Sequence, residues 1–229
     1  MATALTLVRA RLDRLPERWA DGMAWLSAEE RSRIGRFRFE RHARRQRVAT
    51  VLLRGVLGSV TGRDPGSLEF RAGEHGKPHL SGGPPFNVSH SGEWWLFGWA
   101  EEGRVGVDVE VARELDDLEA VARRSFHPAE FTRVMARTGP ERSAAFFRVW
   151  SRKEAFIKAL GMGLAYPLDG FVVSEERDPP AGLLEVNDPA EFAADWLLRP
   201  VEWANDLGAA IAWDRPGGEV RWTEVGELA

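Results

Sequence analysis

The chain has 229 residues, 44% of them hydrophobic and 29% charged, a globular composition long enough to bury roughly 70–75% of its unfolded surface without staples. That length fits one large domain or two small ones. A formal net charge of −4 argues against a general nucleic-acid coat while leaving room for a local basic patch, and the absence of cysteine excludes a disulfide framework, a thiolate zinc site and a cysteine nucleophile.

Along the chain, the apolar stretch at 3–8 is too short for a signal-peptide core and runs into Arg9, Arg11 and Arg14. The runs 51–53 and 94–100 fall far short of a bilayer span. These features predict a soluble, cytoplasmic protein. Ser27 with Glu30 three residues on makes a capping-box pattern, and Val48, Leu52, Val56 and Val60 recur at helical spacing, so 27–60 reads as one helix. Its segment 31–47 carries eight arginines against one acid, Glu40. Turn residues at 62–66 and 82–85 flank a short strand at 68–71 and a loop at 73–76. Strands follow at 86–89, 94–100 and 105–111.

The second half reads as helices at 117–125, 128–136 and 143–160, with Pro128 suited to a first helical position and Gly161 to a C-terminal cap. Strands are expected at 171–174, 183–186, 207–213 and 219–224, with a loop at Asp178-Pro179-Pro180. Strand, charged turn and strand at 95–109 match 209–223 in pattern. Two similar halves would produce that echo, and so would the ordinary abundance of hairpins.

Of 31 basic residues only three are lysines, Lys77, Lys153 and Lys158. Chance codon usage explains that bias as well as a need for a compact, titratable ammonium does. Asp108 and Glu110 in VGVDVE share a strand face, roughly 6.5–7 Å apart, with three valines opposite. The pair can hold a hard divalent ion; taken alone it reads first as the solvated face of a half-buried strand. Trp150, Glu154 and Lys158 line one helix face. They form either a surface ion pair or, at a core margin, a carboxylate and an ammonium in need of partners. Asn87-Val88-Ser89-His90-Ser91 ends a strand in hydroxyls and an imidazole suited to phosphate, though Ser and His adjacent in sequence make no hydrolase triad. Gly76-Lys77-Pro78 presents a lysine on a tight loop. The arginine-rich segment is a solvated face, a nucleic-acid patch or an anchor for a small anion.

Together and in this order, GKP at 76–78, FNVSHS at 86–91, VGVDVE at 105–110 and WSRKEAFIKALGMG at 150–163 resemble the Sfp-type 4′-phosphopantetheinyl transferases. The resemblance implies an α+β fold of two similar subdomains related by pseudo-twofold symmetry, 1–104 and 105–229, with the active site in the cleft between them. It implies transfer of the phosphopantetheine arm of coenzyme A to a serine of apo acyl or peptidyl carrier proteins in fatty-acid, polyketide or nonribosomal-peptide synthesis, releasing 3′,5′-ADP. Carried over by motif, Asp108, Glu110 and Glu154 would ligate Mg²⁺, with Mn²⁺ also suited to an all-oxygen site. Lys158 would meet the pyrophosphate, and Arg45, Lys77, Ser89 and His90 would hold the nucleotide. Glu154 is the candidate base, with Lys158 and Asp108 also catalytic. Arg31, Arg33 and Glu130 fall at looser positions and receive no role. A monomer suffices, without nucleic acid or membrane. The competing readings are a Mg²⁺-dependent phosphohydrolase and a nucleic-acid module built on the arginine-rich helix.

Overall fold

Val105, Val107 and Val109 alternate with Gly106, Asp108 and Glu110, so a strand here has one apolar face and one that is bare or acidic. The computed structural model, described for residues 3–14, 19, 22–176, 182–204 and 207–228, forms that strand and stacks the fold on both its faces. The elements in chain order are β1 (Ala4–Arg11), α1 (Ala28–Gly35), α2 (Glu40–Thr61), β2 (Phe70–Ala72), β3 (Pro78–Leu80), β4 (Phe86–Ser91), β5 (Trp94–Ala100) and β6 (Val105–Val111). There follow α3 (Leu118–Ser125), α4 (Pro128–Met135), α5 (Gly139–Leu160), β7 (Phe171–Val173), β8 (Leu183–Val186), β9 (Leu197–Pro200), β10 (Leu207–Trp213) and β11 (Glu219–Glu224).

Two larger sheets result, ordered β11-β1-β5-β4 and β6-β10-β9, with two-stranded ribbons β2-β3 and β7-β8 beside them. The apolar clusters show how they stack. Trp95 and Phe97 of β5 and Val8 of β1 pack under Val51, Leu52 and Val56 of α2. From the same strands Leu96, Leu5 and Leu7 point the other way, onto Val105, Val107 and Val109 of β6 and Ala209 and Ile211 of β10. Ala210 and Ala212 of β10 then face Ala155, Phe156 and Ala159 of α5. The order of layers is helix, sheet, sheet, helix, an α+β architecture in which both faces of each large sheet are covered.

The strand–turn–strand echo does not make hairpins. β5 pairs with β1 and β4, whereas β6 pairs with β10; β10 pairs with β6 and β9, whereas β11 runs parallel to β1. In both places the turn carries the chain from one sheet to the other. The residues expected in one helix form two, because the chain leaves helical geometry at 36–39 after Gly35 and restarts at the N-cap Phe39. The capping box at Ser27 forms as expected: Glu30 N donates to Ser27 Oγ at 3.1 Å and Ser27 N to Glu30 Oε2 at 2.8 Å. β1, β3 and β9 had no counterpart in the sequence reading. Gly161 caps α5 at φ 78°, in the left-handed region that glycine enters without cost. The expected loop at 178–180 lies outside the described residues. Among the described residues no helix is long and apolar enough to cross a membrane.

Candidate active site at the β4–β6 seam

β4 and β6 lie side by side at the line where the two sheets meet, yet share no backbone ladder. Side chains take its place. Val107 N donates to Asn87 Oδ1 at 2.9 Å, Val109 N to Ser89 Oγ at 3.4 Å and Val111 N to Ser91 Oγ at 3.2 Å. The period-2 polar face of one strand thus satisfies edge amides of its neighbour, which burial would otherwise leave unpaired. Each serine then passes its own proton on: Ser89 Oγ donates to Asp108 Oδ1 and Ser91 Oγ to Glu110 Oε2, both at 2.9 Å. The seam therefore aims two acidic side chains along one face.

α5 lies against that face because Gly106 lets it. A Cβ on Gly106 would collide with the α5 backbone at Ala155 and Ala159, and one on Gly208 would collide at Phe147. At this close approach Lys158 Nζ reaches Asp108 Oδ1 at 2.5 Å and Ser89 Oγ at 3.1 Å. Asp108 is 1% exposed, and its second oxygen, Oδ2, is buried with no hydrogen-bond partner. Burial, the Asp108 charge and the Glu110 charge push Glu154 up to about 7 against the pull of Lys158. Burial and Asp108 raise Glu110 against the Ser91 hydrogen bond. Burial alone would lower Lys158, but contact with Asp108, then Glu154 and Glu110, leave it raised and charged.

The remaining predicted residues divide. His90, exposed at its edge but set in low-dielectric surroundings, is pushed down first by desolvation and then by the positive charges of Lys158 and Arg45. Arg45 Nε donates to Glu93 Oε1 at 2.6 Å, and Arg44 grips both oxygens of the same glutamate. Beyond His90 a cavity of about 760 Å³ opens between α1, α2 and β2–β3, lined also by Arg33, Gln46, Gly76 and Pro78. The Lys77 ammonium does not join this group. It donates to Val105 O at 2.8 Å and Ala159 O at 3.1 Å, tying the start of β6 to the end of α5, while burial brings it down to about 8. Ser89 is likewise occupied by the seam. Arg31 turns to Met23 O at 3.4 Å. Glu130, left without a role, is 0% exposed and pairs with Lys153 at 2.8 Å.

Among the described residues no three His, Asp or Glu side chains converge closely enough to hold a metal outright. Asp108, Glu110 and Glu154 stand close enough to influence one another rather than as a closed cage, and Asp108 is drawn onto Lys158. Their chemistry nevertheless fits a hard cation. Asp108 Oδ2 is buried without a partner, Glu110 spends only Oε2, and no described group donates to Glu154. The sequence reading missed Asn87, Ser91 and Gly106 as site builders. The signal available was a polar period of two in an otherwise apolar strand, twenty residues ahead of an equally periodic acidic one.

Acidic oxygens beside a lysine, next to a cavity of mixed charge, suit an enzyme that handles a phosphorylated group. The N-terminal pattern of 4′-phosphopantetheinyl transferases matches residues 13–100, and that of the 4′-phosphopantetheinyl transferase superfamily matches 104–212. The chain is 36% identical over 211 residues to the 4′-phosphopantetheinyl transferase HetI of Nostoc sp., covering 90% of this chain and 86% of that protein. It is 34% identical over 158 residues to the 4′-phosphopantetheinyl transferase Sfp of Bacillus subtilis, covering 68% and 69%. A putative 4′-phosphopantetheinyl transferase of Synechocystis sp. is 33% identical over 200 residues, covering 83% and 80%. The chain belongs to the Sfp-type 4′-phosphopantetheinyl transferase family, and the phosphohydrolase and nucleic-acid readings find no support.

Proposed function

We propose that this transferase moves the phosphopantetheine arm of coenzyme A onto a serine of an apo acyl or peptidyl carrier protein, releasing 3′,5′-ADP, at the seam between two similar α+β halves, 1–104 and 105–229. The reciprocal exchange of β5–β6 and β10–β11 between the sheets supports two pseudo-symmetric halves. The observation that carries the reading is Asp108: buried, bound by an ammonium on one oxygen and by nothing on the other, beside two carboxylates that burial and the Asp108 charge raise.

In this reading Asp108, Glu110 and Glu154 would hold Mg²⁺, which would supply positive charge to the phosphate groups of the substrate. Lys158 has three donors, of which Asp108 and Ser89 take two; the third is left for a phosphate oxygen. Arg45 spends only Nε on Glu93, which leaves its two Nη groups to bind a distal phosphate with a fork that a lysine lacks. His90 shares that task, and the cavity lined by Arg33, Gln46, Gly76 and Pro78 takes the nucleoside. Lys77 and Ser89 position the site through backbone carbonyls and the Asp108 carboxylate. Glu154 is the base that accepts the proton of the attacking serine in this reading. Alignment and electrostatics then supply most of the acceleration. The chain would act as a monomer in the cytoplasm.

The test is the mass of an apo carrier protein incubated with the enzyme, coenzyme A and Mg²⁺. One added phosphopantetheine is expected. No gain across acyl and peptidyl carriers, or release of free phosphopantetheine in place of transfer, removes the proposal.

A further inference from the structure

α5 has a second polar flank. Arg148 and Arg152 lie on a line that passes about 200° round the helix from Glu154, away from the seam. Arg152 is 1% exposed. Its guanidinium donates to the carbonyl oxygens of Ser174 and Glu176, and no carboxylate among the described residues forms an ion pair with it. Glu175, between those two residues, gives its carboxylate to Arg133 at 2.6 Å instead. Arg148 donates Nε to Glu175 O at 2.9 Å and meets Glu141 at 2.6 Å on its outer side. A buried guanidinium without an anion is costly to keep. Consistent with that cost, burial and then the Arg148 charge bring Arg152 down to about 10.

Against these two arginines opens a cavity of about 400 Å³, walled by Ala144, Pro200, Val201, Trp203 and Leu207. Its size falls in the range of small-molecule sites, and its lining combines apolar side chains with the two arginines and other polar surface. None of Asp108, Glu110, Glu154, Lys158 or His90 lines it. We propose that this cavity binds a small organic carboxylate, with the head on Arg152 and Arg148 and a short aliphatic or aromatic body against Val201, Trp203 and Leu207. A planar carboxylate accepts two parallel guanidinium N–H bonds, and Arg152 has three of its five donors left after Ser174 and Glu176. Glu202 on the rim opposes a dianion, which favours a carboxylate over phosphate. The site stands independently of the transferase reading.

The experiment is calorimetric titration of the full chain with hexanoate and with phenylacetate, beside hexanamide and inorganic phosphate, and a melting curve with each. The carboxylates are expected to bind with Kd of roughly 1 mM or tighter and to raise Tm by linkage, with hexanamide at least about tenfold weaker. Arg152→Met removes the charge and Ala144→Trp fills the cavity. Each is expected to weaken carboxylate binding at least about tenfold, and Ala144→Trp to leave phosphopantetheine transfer unchanged. If Arg152→Met does not fold, Ala144→Trp decides alone. Absence of carboxylate binding to the unmodified chain, binding that survives the cavity-filling variant, or a preference for phosphate overturns the proposal.

Discussion

Lys153 and Lys158 sit five residues apart on one helix, each facing a carboxylate, and their surroundings could hardly differ more. Lys153 Nζ has Glu130 Oε2 at 2.8 Å and the carbonyl oxygens of Leu168 and Phe171 at 2.7 Å, so its three donors are used. Glu130 in turn accepts Val173 N at 2.6 Å on Oε1 and His127 N at 2.9 Å on Oε2. Burial pushes the acid up and the base down, and each partner pulls the other back. Nothing is left over for a ligand. Around Lys158 the count does not close: Asp108 Oδ2 is unpartnered, and Glu154 and Glu110 are raised by burial and by Asp108. A saturated buried ion pair pins α4, α5 and β7 together. An unsaturated one is free to do chemistry.

Breaking the saturated pair gives the largest expected effect on folding. Glu130→Ala or Lys153→Met leaves an uncompensated buried charge, and each is expected to cost about 3–5 kcal/mol in urea unfolding. The double variant Glu130→Leu with Lys153→Met should recover most of that; equal or greater loss in the double variant would mean that the hydrogen bonds, not the charges, carry the pin. Asp108→Ala is the converse experiment. Lys158 keeps Glu154 and Glu110 nearby, so Tm is expected to stay or rise while transfer falls by at least about 10²–10³-fold. A variant with full activity would take Asp108 out of the chemistry.

Gly106→Ala tests how the two regions are held in register. Its methyl meets the α5 backbone at Ala155 and Ala159, so about 1–3 kcal/mol of destabilisation and a fall in kcat larger than the change in KM are expected. Wild-type stability with wild-type kcat would show that α5 moves aside freely. The smallest effect is a pH dependence. Glu154 at about 7 lies above its ordinary value of 4.5, so the folded state binds this proton more tightly than the unfolded one. Its contribution to stability is therefore lost as pH rises from about 4.5 through 7. Because Mg²⁺ takes only ionised oxygens, the Tm gain on adding it should grow between about pH 5.5 and 8 and vanish in Asp108→Ala. A gain independent of pH would place the ion elsewhere.

Much of this was readable in the chain. The alternation at 105–110 gave both the strand and the shared face of Asp108 and Glu110, and the i, i+4 spacing placed Glu154 and Lys158 together on α5. The break at 36–39 was not, because the apolar spacing in 48–60 was carried back through Gly35, whose weak helix propensity marked the end. β1 was missed since its apolar residues, Leu5 and Leu7 on one face and Val8 on the other, show no simple alternation when both faces are buried. The three lysines fell inside the matching motifs, but only Lys158 meets Asp108: Lys77 and Lys153 spend donors on carbonyl oxygens brought in by distant segments.

What the sequence determined is therefore local and periodic: which residues share a face, where helices start and stop, and which motifs recur together. Partner choice was decided only in three dimensions. Whether an ammonium is saturated depends on carbonyls and carboxylates brought in from as far as 82 residues away along the chain, as Ala159 is from Lys77. Hydrogen-bond satisfaction is a property of the whole assembled environment, and no spacing rule within one element can foretell it.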